Sequence, residues 1–126
     1  MLKTVFRILV VLIGLLLLMG AAGFIFNPSS TLENFAINPT RVDGWGTLRA
    51  DLGGPFLGIA WFTFVGAMPG KTNWLLVPVL FMVTFLLGRV VHLAIDGVTQ
   101  PGMTSLVIEA VMLIVLEGSR RGLKQA

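Results

Sequence analysis

The sequence contains no cysteine and one histidine, and only 12% of its 126 residues are charged. The first absence excludes disulfides, thiolate chemistry and cysteine-ligated metal sites. With His92 alone, an all-histidine metal site cannot be built within one copy, and one histidine among arginines disfavours a cation. Charge is scarce beside soluble domains, in which about a quarter of residues are charged. A haem ligand pair, a glycine-rich phosphate loop and a nucleophile motif are also missing, so no metal or cofactor is expected. There is no internal repeat and no low-complexity tract.

What is present is apolar: 56% of the residues are hydrophobic. A soluble core of this size could not hide so much apolar surface, so lipid is the expected solvent. A spanning helix needs about 20 mostly apolar residues. Four stretches meet or approach that length, over residues 5–26, 47–68, 73–95 and 103–118. The expected fold class is therefore all-α: a single-domain integral membrane four-helix bundle. Asn27-Pro28-Ser29-Ser30 stops the first span, Pro69-Gly70-Lys71 turns the chain into the third, and Asp96-Gly97 to Pro101-Gly102 into the fourth. Thr104 or Ser105 is the expected cap of the last helix. Pro55 and Pro78 are expected to bend their helices. In the long connection from Asn27 to Gly46, Leu32, Phe35 and Ile37 are expected to lie against the membrane surface.

Lys3 and Arg7, then an apolar run and Gly20-Ala21-Ala22, resemble a secretory signal peptide. The apolar character continues through Phe26, which favours an uncleaved first span. Lys3, Arg7, Lys71, Arg120, Arg121 and Lys124 fall on one side of a four-span arrangement, and the loops of the other side hold Arg41 alone. Both termini are therefore expected in the cytoplasm. This distribution also accounts for the net charge of +3 without invoking nucleic acid as a partner.

With that orientation, Arg49, Asp51, Arg89, His92, Asp96 and Glu109 collect in the outer halves of three spans. Arg89, His92 and Asp96 are spaced three and four apart and form one stripe, expected to face the bundle interior. Asp51 shares a face with Gly54 and Gly58, a small pair that lets another helix approach, so Asp51 is expected to point inward. Arg89 and Glu109 fall at similar depth on adjacent spans and are expected to pair. Glu117 is expected to pair with Arg120 and Arg121 at the interface. Trp45 and Trp74 read as belt residues, whereas Trp61 lies deeper, where it packs or lines a cavity.

Two motifs carry a family resemblance. Arg49, Gly53-Gly54 and Gly58 resemble the R-x-x-x-G-G-x-x-x-G signature of small bacterial four-helix membrane proteins, the domain of unknown function family 4345. Gly88-Arg89 and Asp96-Gly97 are similar to that family's G-R-x-x-x-x-x-x-D-G at the end of the third helix, and Glu109 to an acidic residue in the fourth. The resemblance implies four spanning helices and a bacterial origin, and it implies no established activity; the expected location is the bacterial inner membrane, crossed several times.

Three functions compete. In the first, the polar cluster forms a pocket for a lipophilic small molecule, with Arg49, Arg89 and Trp61 as binding residues and His92, Asp51, Asp96 and Glu109 as acid/base candidates. In the second, the protein is a structural or accessory subunit of a membrane complex, or a homo-oligomer, and the charges only fix helix register. In the third it is a small transporter. The first span has no acid and the inner halves of the spans are apolar, which places transport last. Beyond these, the expected partner is membrane lipid.

Overall fold

The computed structural model describes residues 1–124, which form five helices and, among the described residues, no strand. They are α1 (Leu2–Phe26), α2 (Pro28–Phe35), α3 (Val42–Ala67), α4 (Thr72–Ile95) and α5 (Gln100–Lys124). All but α2 are long and apolar enough to cross a membrane. At about 1.5 Å per residue they reach roughly 36–39 Å, against a hydrocarbon thickness of about 30 Å.

α1 follows from its leucine-rich run. Val10, Ile13, Gly14, Leu17, Ala21 and Phe24 recur three and four residues apart and are buried along one face. Leu12, Leu16 and Met19 remain exposed on the other faces. The helix stops at Asn27 because the residue before a proline is pushed out of the helical region; here it has φ −135° and ψ 62°. Pro28 then opens α2 at the first helical position, where its missing N–H costs nothing. Ala36 ends α2 in the left-handed conformation, with φ 54°, and the Ile37 N–H donates to Leu32 O at 3.1 Å. Much of the long connection is thus a helix folded onto the bundle. Leu32 is buried with Phe24 and Leu48.

Four boundaries differ from the expected ones by three residues or more, the first being the start of α1 at Leu2 rather than residue 5. α3 begins at Val42, before residue 47. α5 begins at Gln100 because Thr99, not Thr104 or Ser105, caps it: the Gly102 N–H donates to Thr99 Oγ1 at 3.1 Å. α5 also runs past residue 118 to Lys124, carried by Glu117, which accepts from both Arg120 and Arg121 one turn on.

The two prolines act differently. Pro78 lies within the first turn of the regular part of α4, after a tight turn over Thr72–Leu75, so it interrupts no helix interior. Pro55 has no N–H to offer the carbonyl of Asp51. Directly before it, Leu48–Gly53 opens into a π-helical turn, whose hydrogen bonds reach one residue further. The lost bond is absorbed by widening the turn.

The core joins Val10, Ile13 and Leu17 of α1, Ile59 and Ala60 of α3, Leu75, Val79 and Met82 of α4, and Leu116 of α5. α1 packs along α3 and α5, and α4 packs along α5. Gly14 lets the Phe64 ring lie against α1, since a Cβ there would meet Phe64 Cε1 at 2.7 Å. α3 and α4 meet chiefly beside their short connection. At the end of the bundle away from the termini they part, and Gly54, Gly58 and Gly88 face open space.

Candidate ligand cleft

Where α3 and α4 part, four aromatic rings from four helices come together. Phe24 closes the end of α1 and is buried. The Phe35 ring of α2 lies 4.9 Å from it and the Phe56 ring of α3 lies 5.7 Å from it. Phe85 of α4 stacks on Phe56 at 6.0 Å. Such offset ring pairs add about 0.5–1.5 kcal/mol each beyond the area they bury. The rings border two adjoining clefts of about 360 and 190 Å³. The larger opens beside Leu52, Thr84 and Gly88, and Ile37 of the α2–α3 connection lies over it. The smaller continues toward α1 and α5, past Leu17, Ser105 and Met112. Phe35, Phe56, Phe85, Arg89 and Glu109 belong to both.

Among the described residues, Arg89 and Glu109 supply the only charges on these walls. Arg89 Nη2 donates to Glu109 Oε1 at 2.9 Å, and the side chains are 30% and 17% exposed. The expected pair therefore forms, joining α4 to α5. It is one-armed. Arg89 Nε and Glu109 Oε2 are both buried and, among the described residues, lack a hydrogen-bond partner. A guanidinium can donate five hydrogen bonds and a carboxylate can accept about four. An unsatisfied buried polar atom costs about 1–3 kcal/mol. Both atoms are shielded from water as the side chains stand. Rotation of the guanidinium, or of the carboxylate about its soft terminal torsion, would turn them toward the cleft. The wall thus holds an unused donor beside an unused acceptor in an aromatic setting.

The other expected site residues lie elsewhere. His92 Nδ1 and Asp96 Oδ2 are 2.8 Å apart, but the side chains are 37% and 64% exposed and line neither cleft. Of the stripe expected to face inward, Arg89 lines the clefts, His92 is half-buried with its ring beside Gly102 of α5, and Asp96 is exposed. Asp96 lies on nearly the same angular face but two turns further on, at the C-cap of α4, beyond the cover of the bundle. Asp51 is exposed rather than inward-pointing, and the face it shares with Gly54 and Gly58 is the open one. The close approach is made by Gly53, which packs on Ile25. Arg49 is exposed and donates from Nη1 to the carbonyl of Ile25, near the end of α1. Trp61 is 68% exposed on an outward face and lines no cleft. Among the described residues no three His, Asp or Glu side chains converge as a cation would require.

Sequence reasoning missed the four phenylalanines. They are far apart in the chain and share no helical period, so only the tertiary fold brings them together. One signal was available: a phenylalanine four residues before Arg89 shares its helix face.

Compared with known proteins, the chain matches no family model, no curated protein and no solved structure. Fold and cleft define a small all-helical protein with four helices fit to cross a bilayer and a ligand-sized cleft at one end.

Proposed function

We propose that this is a multi-pass protein of a bacterial inner membrane, with both termini cytoplasmic, that binds a lipophilic small molecule in the cleft of its outer half. The observation that carries the reading is the one-armed Arg89–Glu109 pair in the wall of a phenylalanine-lined cleft. The matching ligand has an apolar body and a head with an acceptor beside a donor, as in a primary amide or a protonated carboxylic acid. Its acceptor takes the spare Arg89 N–H and its donor meets the spare Glu109 oxygen. Glu109 is the group placed to exchange a proton with such a head. Insertion is supported by the exposed Leu12, Leu16, Leu80, Leu87 and Ile114 on the outward faces of long helices. The orientation is supported by the basic residues at the end that holds the termini. Membership of the family of unknown function 4345 belongs to the same proposal.

The test uses a long-chain primary amide carrying a photoreactive group, with the protein in nonionic detergent. The expected result is crosslinking concentrated at Leu52, Phe56 and Phe85. Gly88→Leu would fill the cleft without touching the ion pair and should abolish that labelling. Arg89→Met should do the same for the amide but not for an alkane of equal length. Labelling spread evenly over the exposed helix faces, and equal in all variants, would sink the reading.

A further inference from the structure

We infer that the ligand of the aromatic cleft carries one long alkyl chain, and that this chain leaves the cleft along a groove between α1 and α5. The inference rests on the reading of the cleft given above and adds the chemistry and route of the tail. The cleft has two ways out. One is the opening between α3 and α4 beside Gly88. The other lies across the bundle, where α1 packs along α5. There a groove of about 300 Å³ runs between Leu12 and Leu16 on one wall and Val107 and Val111 on the other. Every residue that lines it is apolar.

Groove and cleft share a wall. Ile108 and Met112 line both the groove and the smaller cleft, and Glu109 of the polar wall stands between them in the chain. Met112 is half-buried and unbranched, and such a thioether side chain adapts to a neighbour without movement of the backbone. The way from the Arg89–Glu109 pair to the groove therefore crosses one soft side chain.

A polar wall that leads into an apolar trough matches an amphiphile. Leu9 and Val115 mark the far end of the groove. From Ile108 to Val115 the helix rises about 10 Å. That is the reach of roughly eight methylenes at a C–C bond of about 1.5 Å. Helices in lipid approach one another through small residues, and none lines this groove. A thin alkyl chain thus fits it better than a helix of a second copy. The groove follows the helix axes. In the membrane reading the chain then lies parallel to the lipid chains, with its head in the outer half. Lipid tails are as apolar as leucine, so the groove adds little affinity over the bilayer. It sets where the chain goes, while the polar wall holds the head.

The experiment uses two long-chain primary amides with the full-length protein in nonionic detergent. One carries a diazirine beside the amide, and the other carries it toward the far end of the chain. The first is expected to label Phe56 and Phe85, and the second Leu12, Leu16 and Val107. Arg89→Met releases the head and should lower the groove labelling about tenfold or more, the worth of a hydrogen bond to a charged group. Gly88→Leu, which fills the cleft, should do the same. Val111→Trp fills the groove and should move the far-end label off Leu12 and Leu16. Ile114→Trp puts equal bulk on an exposed face of α5 outside the groove and should change neither pattern. The inference is overturned if the far-end label falls on Gly54 and Gly58, or spreads evenly, while the near-head label stays on Phe56 and Phe85; the cleft reading then stands. Groove labelling that is equal in Arg89→Met and Gly88→Leu also overturns it, since the chain would then enter from the micelle untethered. A dimer that Val111→Trp, but not Ile114→Trp, converts to a monomer on size exclusion would give the groove to a second copy and overturn it too. A near-head label that spreads evenly removes the cleft reading and this inference together.

Discussion

Gly53 sits so close to Ile25 that a Cβ on it would lie 2.6 Å from Ile25 Cγ1 and 3.4 Å from Phe24 Cβ. One turn earlier, Arg49 donates to the Ile25 carbonyl. α3 therefore holds the end of α1 by a hydrogen bond and by a missing side chain, and this fixes Phe24 at the base of the cleft. Gly53→Ala is expected to destabilise the protein by about 1–3 kcal/mol through overpacking. Gly54→Ala meets no other element within 4 Å and is expected to cost less than about 1 kcal/mol, its Cβ crowding only the following Pro55 ring. Thermal unfolding in detergent, followed by circular dichroism, separates the two. Equal losses would remove the distinction between the neighbouring glycines.

Glu109→Gln and Arg89→Met should each destabilise, by about 1–3 kcal/mol, because each leaves a partly buried partner unmatched. The double variant Arg89→Met/Glu109→Gln should lose less than the sum of the single changes. A double-mutant cycle on unfolding free energies measures the difference. Additive losses would mean that the 2.9 Å contact contributes no coupling.

His92→Gln should leave binding of the amide probe unchanged, since His92 lines neither cleft. Its pair with Asp96 is exposed, so stability should change by no more than about 0.5 kcal/mol. Calorimetry and a melting curve on the same sample check both. Loss of probe binding with an unchanged melt would show that His92 takes part in the site after all.

The absence of cysteine gives a clean test of orientation. Val98→Cys, in the α4–α5 turn, should react with an impermeant maleimide on intact cells. Lys71→Cys, in the α3–α4 turn, should react only after the inner membrane is permeabilised. The opposite pattern would invert the orientation proposed from the basic residues.

The four long helices were legible because each contains an apolar run of spanning length, and Asn27-Pro28 and Pro69-Gly70 mark breaks that steric rules enforce. The Arg89–Glu109 pair was legible from depth alone, since the connection from α4 to α5 is short enough to fix their relative heights. The direction of Asp51 was not. That reading assumed a regular helix with Gly54 as the approach point, and the π turn before Pro55 makes Gly53 the contact instead. α2 was hidden because Leu32, Phe35 and Ile37 read equally well as a surface-lying loop. What decides for a helix is the left-handed residue Ala36, a conformation that alanine does not advertise. The end of α5 was misjudged by hydropathy, because the residues that extend it are charged and pair with one another.

The π turn also bears on how relatives of this chain should be aligned. Between Arg49 and Pro55, α3 holds one residue more than an unbroken α-helix needs over the same rise. A relative that lacks this residue would keep both flanking faces in phase, provided the deletion falls within Leu48–Gly53. Pro55 would then stand inside a regular helix with no adjustment to absorb it. Such a relative should therefore carry another residue at that position, and the gap and the lost proline should appear together.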